Sequence, residues 1–184
     1  LLKMCGRAYR ITTDGLGKAP KGKLPYIDDD GETVADSTFI RWHIERKYDF
    51  DFDRGLDAEQ RSIAWALEKM VEDNLYWTLL DSRWNDDANF YKGAVAFFAK
   101  IPAPLRPIVI AMIRRQIRKA LRAHGMGRHS AAEIVAIATR SIDAIADYLG
   151  DKAFVMGAEP TGVDATMFAF VAGALCPVFD TPIR

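Results

Sequence analysis

Two short motifs near the start of the chain combine residue types that could hold a peptide-like ligand. Leu24-Pro25 opens a segment with strand character, and Asp36-Ser37 begins a helical pattern eleven residues after the proline. A proline at a strand start is tolerated either as a trans residue at a sheet edge or as a cis residue in a turn, and the dipeptide leaves both open. In the cis form, the N–H and C=O groups of Leu24 would face outward and could pair antiparallel with a bound peptide.

The Asp36-Ser37 motif has two interpretations. Asp and Ser are preferred at helix N-caps, so the pair could serve only to start a helix. The free N–H groups of a helix N-terminus and a serine hydroxyl also suit a carboxylate, and the Asp36 carboxylate could receive an ammonium group. Together with Leu24-Pro25, the pair favours a ligand with a peptide middle and an α-amino acid end.

The elements that must position these motifs form a mixed α/β region over residues 1–48. Leu1 to Met4 has the pattern of a last helical turn ended by Gly6. The pattern then predicts a strand, a loop rich in Gly, Pro and Lys, a hairpin around an Asp-Gly turn, and a helix, over Tyr9–Thr12, 15–23, 24–35 and Ser37–Lys47. Residues 49–56, where Asp alternates with aromatic residues, are predicted to be a linker.

From residue 57 to residue 184 the chain is predicted to be all-helical. A helical period without Gly or Pro runs from Asp57 past Trp84, which predicts one helix of about 25 residues. Four further helices are expected over about 88–99, 105–122, 130–149 and 162–175. Thr161 and Asp164 have capping-box spacing, which predicts a structural cap on a mostly apolar core helix.

Composition narrows the class of protein. The 184 residues carry 25 basic and 25 acidic side chains, so no net field attracts a nucleic acid or an anionic membrane. The two cysteines are too few for a disulfide framework, which favours a reducing cytoplasm. No apolar run is long enough to span a bilayer, and P-loop, zinc and serine-hydrolase motifs are absent from the sequence.

Other side chains that could do chemistry have plain structural interpretations. The basic cluster Arg114–Arg122 is expected to be a solvated helix face, with an acidic-partner surface as the alternative. Tyr76, Trp77 and Trp84 on the long helix are expected mostly in the core, although one or two of them could line an apolar cleft. His124 and His129 flank glycines and would not share a helix face, so no metal site is predicted.

The order of these motifs resembles the glutathione transferase superfamily. The likeness runs through 19–27, the Asp-Gly hairpin, 35–40 and the Thr161–Asp164 pair, and within the superfamily it is similar to the bacterial branch related to metaxins and failed-axon-connections proteins. It implies an α+β thioredoxin-like N-terminal domain, incomplete in this chain, followed by an all-α C-terminal domain.

The resemblance also implies roles for individual residues. Leu24 would bind the cysteinyl residue of glutathione through its backbone, with Pro25 as the cis-proline, and Asp36 and Ser37 would hold the γ-glutamyl end. Either Lys23 or Lys21 would reach the glycine carboxylate, and Tyr76 and Trp77 are candidates for the electrophile pocket. The thiol-activating Ser, Cys or Tyr is expected N-terminal to Leu1, so no catalytic residue is named.

Two functions follow from this resemblance. The first is a cytoplasmic, homodimeric glutathione transferase that uses glutathione as co-substrate, adds its thiolate to an apolar electrophile, and needs no metal. The alternative is a non-catalytic, metaxin-like adaptor that keeps the fold and binds a protein partner.

Overall fold

The structure, a computed structural model, describes residues 1–12 and 16–181. The chain divides into two units, Leu1–Leu56 and Asp57–Arg184. Gly15 of the predicted loop and the last three residues, 182–184, lie outside the described residues.

A β-hairpin forms the framework of the first unit. Strand β1, Tyr26–Asp29, pairs antiparallel with strand β2, Glu32–Ala35. Asp30 and Gly31 both have positive φ angles, 56° and 85°, as a two-residue hairpin turn requires. The predicted hairpin is therefore present, and it delivers the chain directly to helix α1, Ser37–Tyr48.

The core of the first unit reaches beyond the predicted domain boundary. Ile40 and Ile44 of α1 are buried together with Phe52, and Phe50 packs against the same cluster. The segment 49–56, predicted as a linker, is thus a packed part of this unit. Its alternating aromatic residues supply apolar contacts to α1, which the acidic residues between them obscured in the sequence.

The N-terminal residues differ in part from the predicted elements. The Cys5 N–H donates to the Leu1 carbonyl at 3.1 Å and Gly6 has φ 68°, as expected for a helical turn that ends at glycine. The strand predicted over Tyr9–Thr12 is wrong: these residues are exposed and lie in no regular element. Alternation of apolar and polar residues specifies a strand only where another strand pairs with it, and the sheet of the described residues contains β1 and β2 alone.

Asp29 ties the hairpin to α1. Its carboxylate oxygens lie 2.7 Å from His43 Nε2, 2.7 Å from Tyr48 Oη and 2.9 Å from Lys47 Nζ. Hydrogen bonds from His43, then from Lys47 and Tyr48, hold the pKa of the Asp29 carboxyl well below its usual range. Since His43 is only 2% exposed, this network anchors a buried ring whose partner the sequence did not indicate.

We expect Asp29→Asn to lower the free energy of unfolding at pH 7 by about 2 kcal/mol, because a partly buried hydrogen-bonded network loses its charged acceptor. A depressed carboxyl pKa contributes stability that is complete above the unfolded value of about 3.9 and is lost as the pH falls through the folded value. The gap between wild type and variant should therefore narrow below about pH 4. Urea unfolding at pH 7 and pH 3 measures the difference in free energy of unfolding between wild type and variant, with Asp143→Asn at an exposed position as the control. An equal difference at both pH values would contradict the account.

The second unit is helical, and its elements follow the predicted helices closely. The long predicted helix is continuous as α2, a π-helical segment and α3, and the helix predicted over 88–99 is divided at Gly93 into α4 and a 3-10 helix. The α-helices are α2 Ala58–Met70, α3 Tyr76–Trp84, α4 Asp87–Lys92, α5 Arg106–His124, α6 Ala131–Leu149 and α7 Gly162–Ala174. The π-helical segment is Val71–Leu75, and the 3-10 helix after α4 is Ala94–Phe98. A further 3-10 helix of this unit spans Met126–Arg128, and one in the first unit spans Leu16–Lys18.

The segment after α7 packs against α4. Buried Asn89 exchanges two hydrogen bonds of 2.8 Å with the backbone of Asp180. A Cβ atom at Gly93 would lie 2.6 Å from the Phe179 ring, so glycine leaves room for that ring. These contacts join positions about 90 residues apart, which no local sequence pattern indicates.

Candidate functional site

The hairpin brings the two N-terminal motifs together. Tyr26 stands opposite Ala35 in the last step of the strand ladder. Beyond that step, the Asp36 N–H donates to the Pro25 carbonyl at 3.0 Å. Leu24-Pro25 and Asp36-Ser37, eleven residues apart in sequence, therefore lie side by side at one end of the hairpin.

Leu24 presents its backbone to solvent at this end. The Leu24–Pro25 peptide bond is cis, the alternative that the resemblance implied, and Leu24 is 58% exposed. Within the described part of the chain, neither the N–H nor the C=O group of Leu24 has a hydrogen-bond partner. A free donor and a free acceptor on one residue can pair with the backbone of an extended peptide.

Asp36 caps α1 in an unusual backbone conformation. Its φ and ψ angles are 88° and 134°, a region that disfavours side chains, and its Oδ1 accepts from the Thr38 N–H at 3.0 Å. One carboxylate oxygen is thus occupied by the cap, and Oδ2 has no partner among residues 1–12 and 16–181. The cap and the ammonium interpretation of Asp36 are compatible, because each uses a different oxygen.

Ser37 is the first residue of α1 and is half-buried. The first N–H groups of a helix have no partner within the helix, and the aligned peptide dipoles give that end a partial positive charge. The exposed backbone of Leu24, the Asp36 oxygen and the start of α1 together offer groups for an amide, an ammonium and a carboxylate.

The two candidate lysines differ in how they are held. Lys21 Nζ lies 4.2 Å from the centre of the Phe39 ring, and Phe39 is in the first turn of α1. Lys23 is exposed, and no contact in the described chain fixes it. Phe39 was not among the site residues predicted from the sequence, although its position three residues after the Asp36 cap was a usable signal.

Tyr76 and Trp77, the candidate pocket residues, lie in the second unit. The Trp77 ring stacks on His124 with centroids 4.3 Å apart and packs against the cluster of Leu121, Met126 and Ile134. Tyr76 is more exposed and meets Phe170 edge-to-face at 6.3 Å. Burial raises the pKa of the Tyr76 hydroxyl. Trp77 is thus largely a core residue, and Tyr76 is the more accessible of the two.

The predicted structural cap is formed within the second unit. The Asp164 carboxylate accepts from the N–H and hydroxyl groups of Thr161 at 2.8 Å and 2.9 Å, and from the Val155 N–H at 2.8 Å. Thr161 and Val155 are both buried. The pair therefore fixes the start of α7 and also binds the loop before it.

Comparisons with known proteins give these features a family. Residues 1–89 match the model of the glutathione S-transferase N-terminal domain, and residues 138–184 match the model of the glutathione S-transferase C-terminal domain. The chain belongs to the glutathione transferase superfamily. Its fold is accordingly the thioredoxin-like domain plus helical domain of that superfamily, of which the described residues show the hairpin, α1 and the helical unit.

Curated relatives of the chain carry different names. The isoprene-epoxide–glutathione S-transferase of Rhodococcus sp. (strain AD45) is 32% identical over 82% of this chain and 65% of its own length. Failed axon connections of Drosophila melanogaster is 34% identical over 84% of this chain and 39% of its own, and the metaxin-1 homolog of Caenorhabditis briggsae is 27% identical over 94% and 56%. The chain thus spans less than two thirds of the length of each of these relatives.

No solved structure matches the chain. Among the residues that the structure describes, no helix is long and apolar enough to cross a membrane. Within the same residues, no three His, Cys, Asp or Glu side chains are grouped so that they could hold a metal ion.

Proposed function

We propose that this member of the superfamily binds glutathione at the hairpin end formed by Leu24, Pro25, Asp36 and Ser37. The hydrogen bond between the Asp36 N–H and the Pro25 carbonyl carries the proposal, because it places a free backbone edge beside a helix N-terminus. The Leu24 backbone would pair with the cysteinyl residue, and the α1 N-terminus with Ser37 would receive the γ-glutamyl carboxylate.

The charges around this end suit the remaining groups of the tripeptide. The free Oδ2 of Asp36 would receive the γ-glutamyl ammonium, and the Lys21 ammonium, held over Phe39, would lie near the glycine carboxylate. Lys23 is the alternative cation for that carboxylate. Each charged group of the tripeptide would therefore have a candidate partner of opposite charge.

We further propose that the chain is a transferase acting on a small apolar electrophile. Glutathione supplies the thiol nucleophile when bound, and the residues described above fix its backbone so that the thiol is presented in one orientation. The name of the Rhodococcus relative makes an epoxide the first electrophile to test. Tyr76, the more accessible candidate, is proposed to contact the electrophile.

Turnover tests the transferase proposal. The full-length protein is incubated with reduced glutathione and isoprene epoxide, and the conjugate is measured by mass spectrometry. We expect glutathione-dependent conjugate formation that falls with Ser37→Ala. Saturable glutathione binding without conjugate from the epoxide or from 1-chloro-2,4-dinitrobenzene would reject the transferase and favour the second candidate.

The second candidate is a non-catalytic adaptor on the same fold. It is favoured by the relatives named metaxin, one of which matches 94% of this chain. An adaptor would keep a saturable protein partner and show no turnover, so the same assay separates the two functions.

We also propose that the protein is cytoplasmic and forms a homodimer. Dimerisation is expected because two small domains leave apolar surface to cover. Phe39 and Trp42 on α1 are both about half exposed and form an edge-to-face pair with centroids 5.4 Å apart, a surface that a second copy could bury. Sedimentation velocity of the full-length protein should show a dimer at micromolar concentration. A monomer throughout that range would contradict the proposal.

A further inference from the structure

Helix α5 carries many basic side chains and no acidic ones. Arg106–His124 contains five arginines and one lysine and no acidic residue. The molecule as a whole is neutral, so this helix is a local excess of charge. A surface that carries charge of only one sign, on an otherwise neutral protein, favours binding of an oppositely charged partner at that surface.

Two of these arginines are occupied within the unit. Arg114, expected on a solvated face, donates to the carbonyls of Trp84 and Asn85 at 2.9 Å and 3.1 Å and pairs with Asp87 at 2.7 Å. That expectation was wrong for Arg114 because the end of α3 lies against α5. Arg106 likewise donates to the Ile101 carbonyl at 3.0 Å.

The other four cations of α5 are exposed and, within the described residues, have no acidic partner. They are Arg115, Arg118, Lys119 and Arg122. At 100° per residue these four positions fall within one arc of about 100° on the helix surface. The arc forms a continuous basic surface on the C-terminal half of α5.

Large apolar side chains continue this surface toward the N-terminus of α5. Leu105, Ile108 and Met112 are 55%, 66% and 58% exposed. By the same rotation they lie on the side of the helix that carries Arg115 and Lys119. The outward side of α5 therefore changes from apolar to basic over about 21 Å, the rise from residue 108 to residue 122.

A shallow groove runs beside this outward side. It encloses about 550 Å³ and is lined by Tyr91, Pro107, Ala111, Arg114 and Arg118, among others. Arg118 belongs to both the groove and the basic arc, so a cation without an acidic partner lies at the junction. Guanidinium groups bind phosphate oxygens through paired donors, and the groove has the size of a small-ligand site.

We propose that the outward side of α5 docks on an anionic phospholipid surface. The basic arc and Arg118 bind lipid phosphates, and Leu105, Ile108 and Met112 enter the boundary between headgroups and acyl chains. Such a surface offers negative charge and apolar depth together, which matches the two halves of this side. An acidic protein would instead need its own apolar patch in register with three side chains on a convex helix.

Vesicle flotation tests the proposal with the full-length protein. Vesicles of pure phosphatidylcholine are compared with vesicles that contain 30% phosphatidylserine, at low and at physiological salt. We expect binding only to the phosphatidylserine vesicles and weaker binding at the higher salt. Equal binding to both compositions, or binding to neither, would overturn the proposal.

Matched variants locate the surface. Arg115→Glu with Lys119→Glu should weaken binding at least tenfold, and Ile108→Ser with Met112→Ser should also weaken it, while thermal unfolding shows that both variants fold. The controls are Arg140→Glu, at an exposed residue of α6, and Phe168→Ser, at a 77% exposed residue of α7. Loss of binding in the controls to the same extent would overturn the assignment to α5.

Two further arms distinguish other occupants. Glycerol 3-phosphate at millimolar concentration should not displace the protein from vesicles, and displacement would indicate a site for a free phosphate ester. Self-association that disappears in Arg115→Glu with Lys119→Glu, without vesicle binding by wild type, would assign this side to a second copy instead and overturn the proposal.

Discussion

Replacing Asp164 with alanine should lower the free energy of unfolding by about 3 kcal/mol, because two buried backbone N–H groups and a buried hydroxyl lose their acceptor. The N–H groups are those of Val155 and Thr161, each 2.8 Å from a carboxylate oxygen. Urea unfolding followed by circular dichroism measures the loss.

The chain supplies a matched control for this variant. Glu133 accepts from Ser130 in the same capping-box arrangement at the start of α6, but both residues are exposed. Glu133→Ala should therefore lower the free energy of unfolding by much less than Asp164→Ala, because water can reach the Ser130 groups that lose their acceptor. Equal losses of unfolding free energy in the two variants would show that burial of the Thr161–Asp164 pair adds nothing to stability.

The second large effect concerns glutathione affinity. Ser37→Ala and Asp36→Asn should each raise the dissociation constant about tenfold, which corresponds to about 1.4 kcal/mol for one hydrogen bond to a charged group. Asparagine is preferred over alanine at position 36 because it can keep the Thr38 cap and tolerates the positive φ angle. Asp36→Asn therefore removes the charge and spares the helix start. Isothermal titration calorimetry measures both constants.

Controls for the affinity variants are available in the second unit. Ser62→Ala removes a hydroxyl that donates to its own helix at the Ala58 carbonyl, and Asp143→Asn removes an exposed charge from α6. Neither should change glutathione affinity. If Ser37→Ala binds as tightly as wild type, the α1 N-terminus does not hold the γ-glutamyl end.

Local patterns predicted most of the fold. The Asp-Gly turn indicated the hairpin because few residue pairs accept two positive φ angles, and the uninterrupted helical period indicated the continuous run of α2 and α3. The failures lay where structure depends on distant contacts. Tyr9–Thr12 has strand alternation without a paired strand, and Phe52 packs into the core from a segment whose acidic residues suggested a linker.

The candidate site was predictable in its residues but not in its geometry. Leu24-Pro25 and Asp36-Ser37 were identifiable by type and spacing, and the hairpin register makes their proximity understandable. The positive φ angle of Asp36 and the placement of Lys21 on Phe39 depend on the folded chain. No residue pattern distinguishes Lys21 from Lys23, because both lie in the same basic loop.

Amide chemical-shift mapping of the full-length protein with reduced glutathione is the most direct test of the account. Binding at the hairpin end predicts saturable shifts concentrated at the amides of Leu24, Asp36, Ser37 and Thr38, with the α5 amides unchanged. Shifts that cluster elsewhere, or an unperturbed spectrum at millimolar glutathione, would contradict the proposed glutathione site.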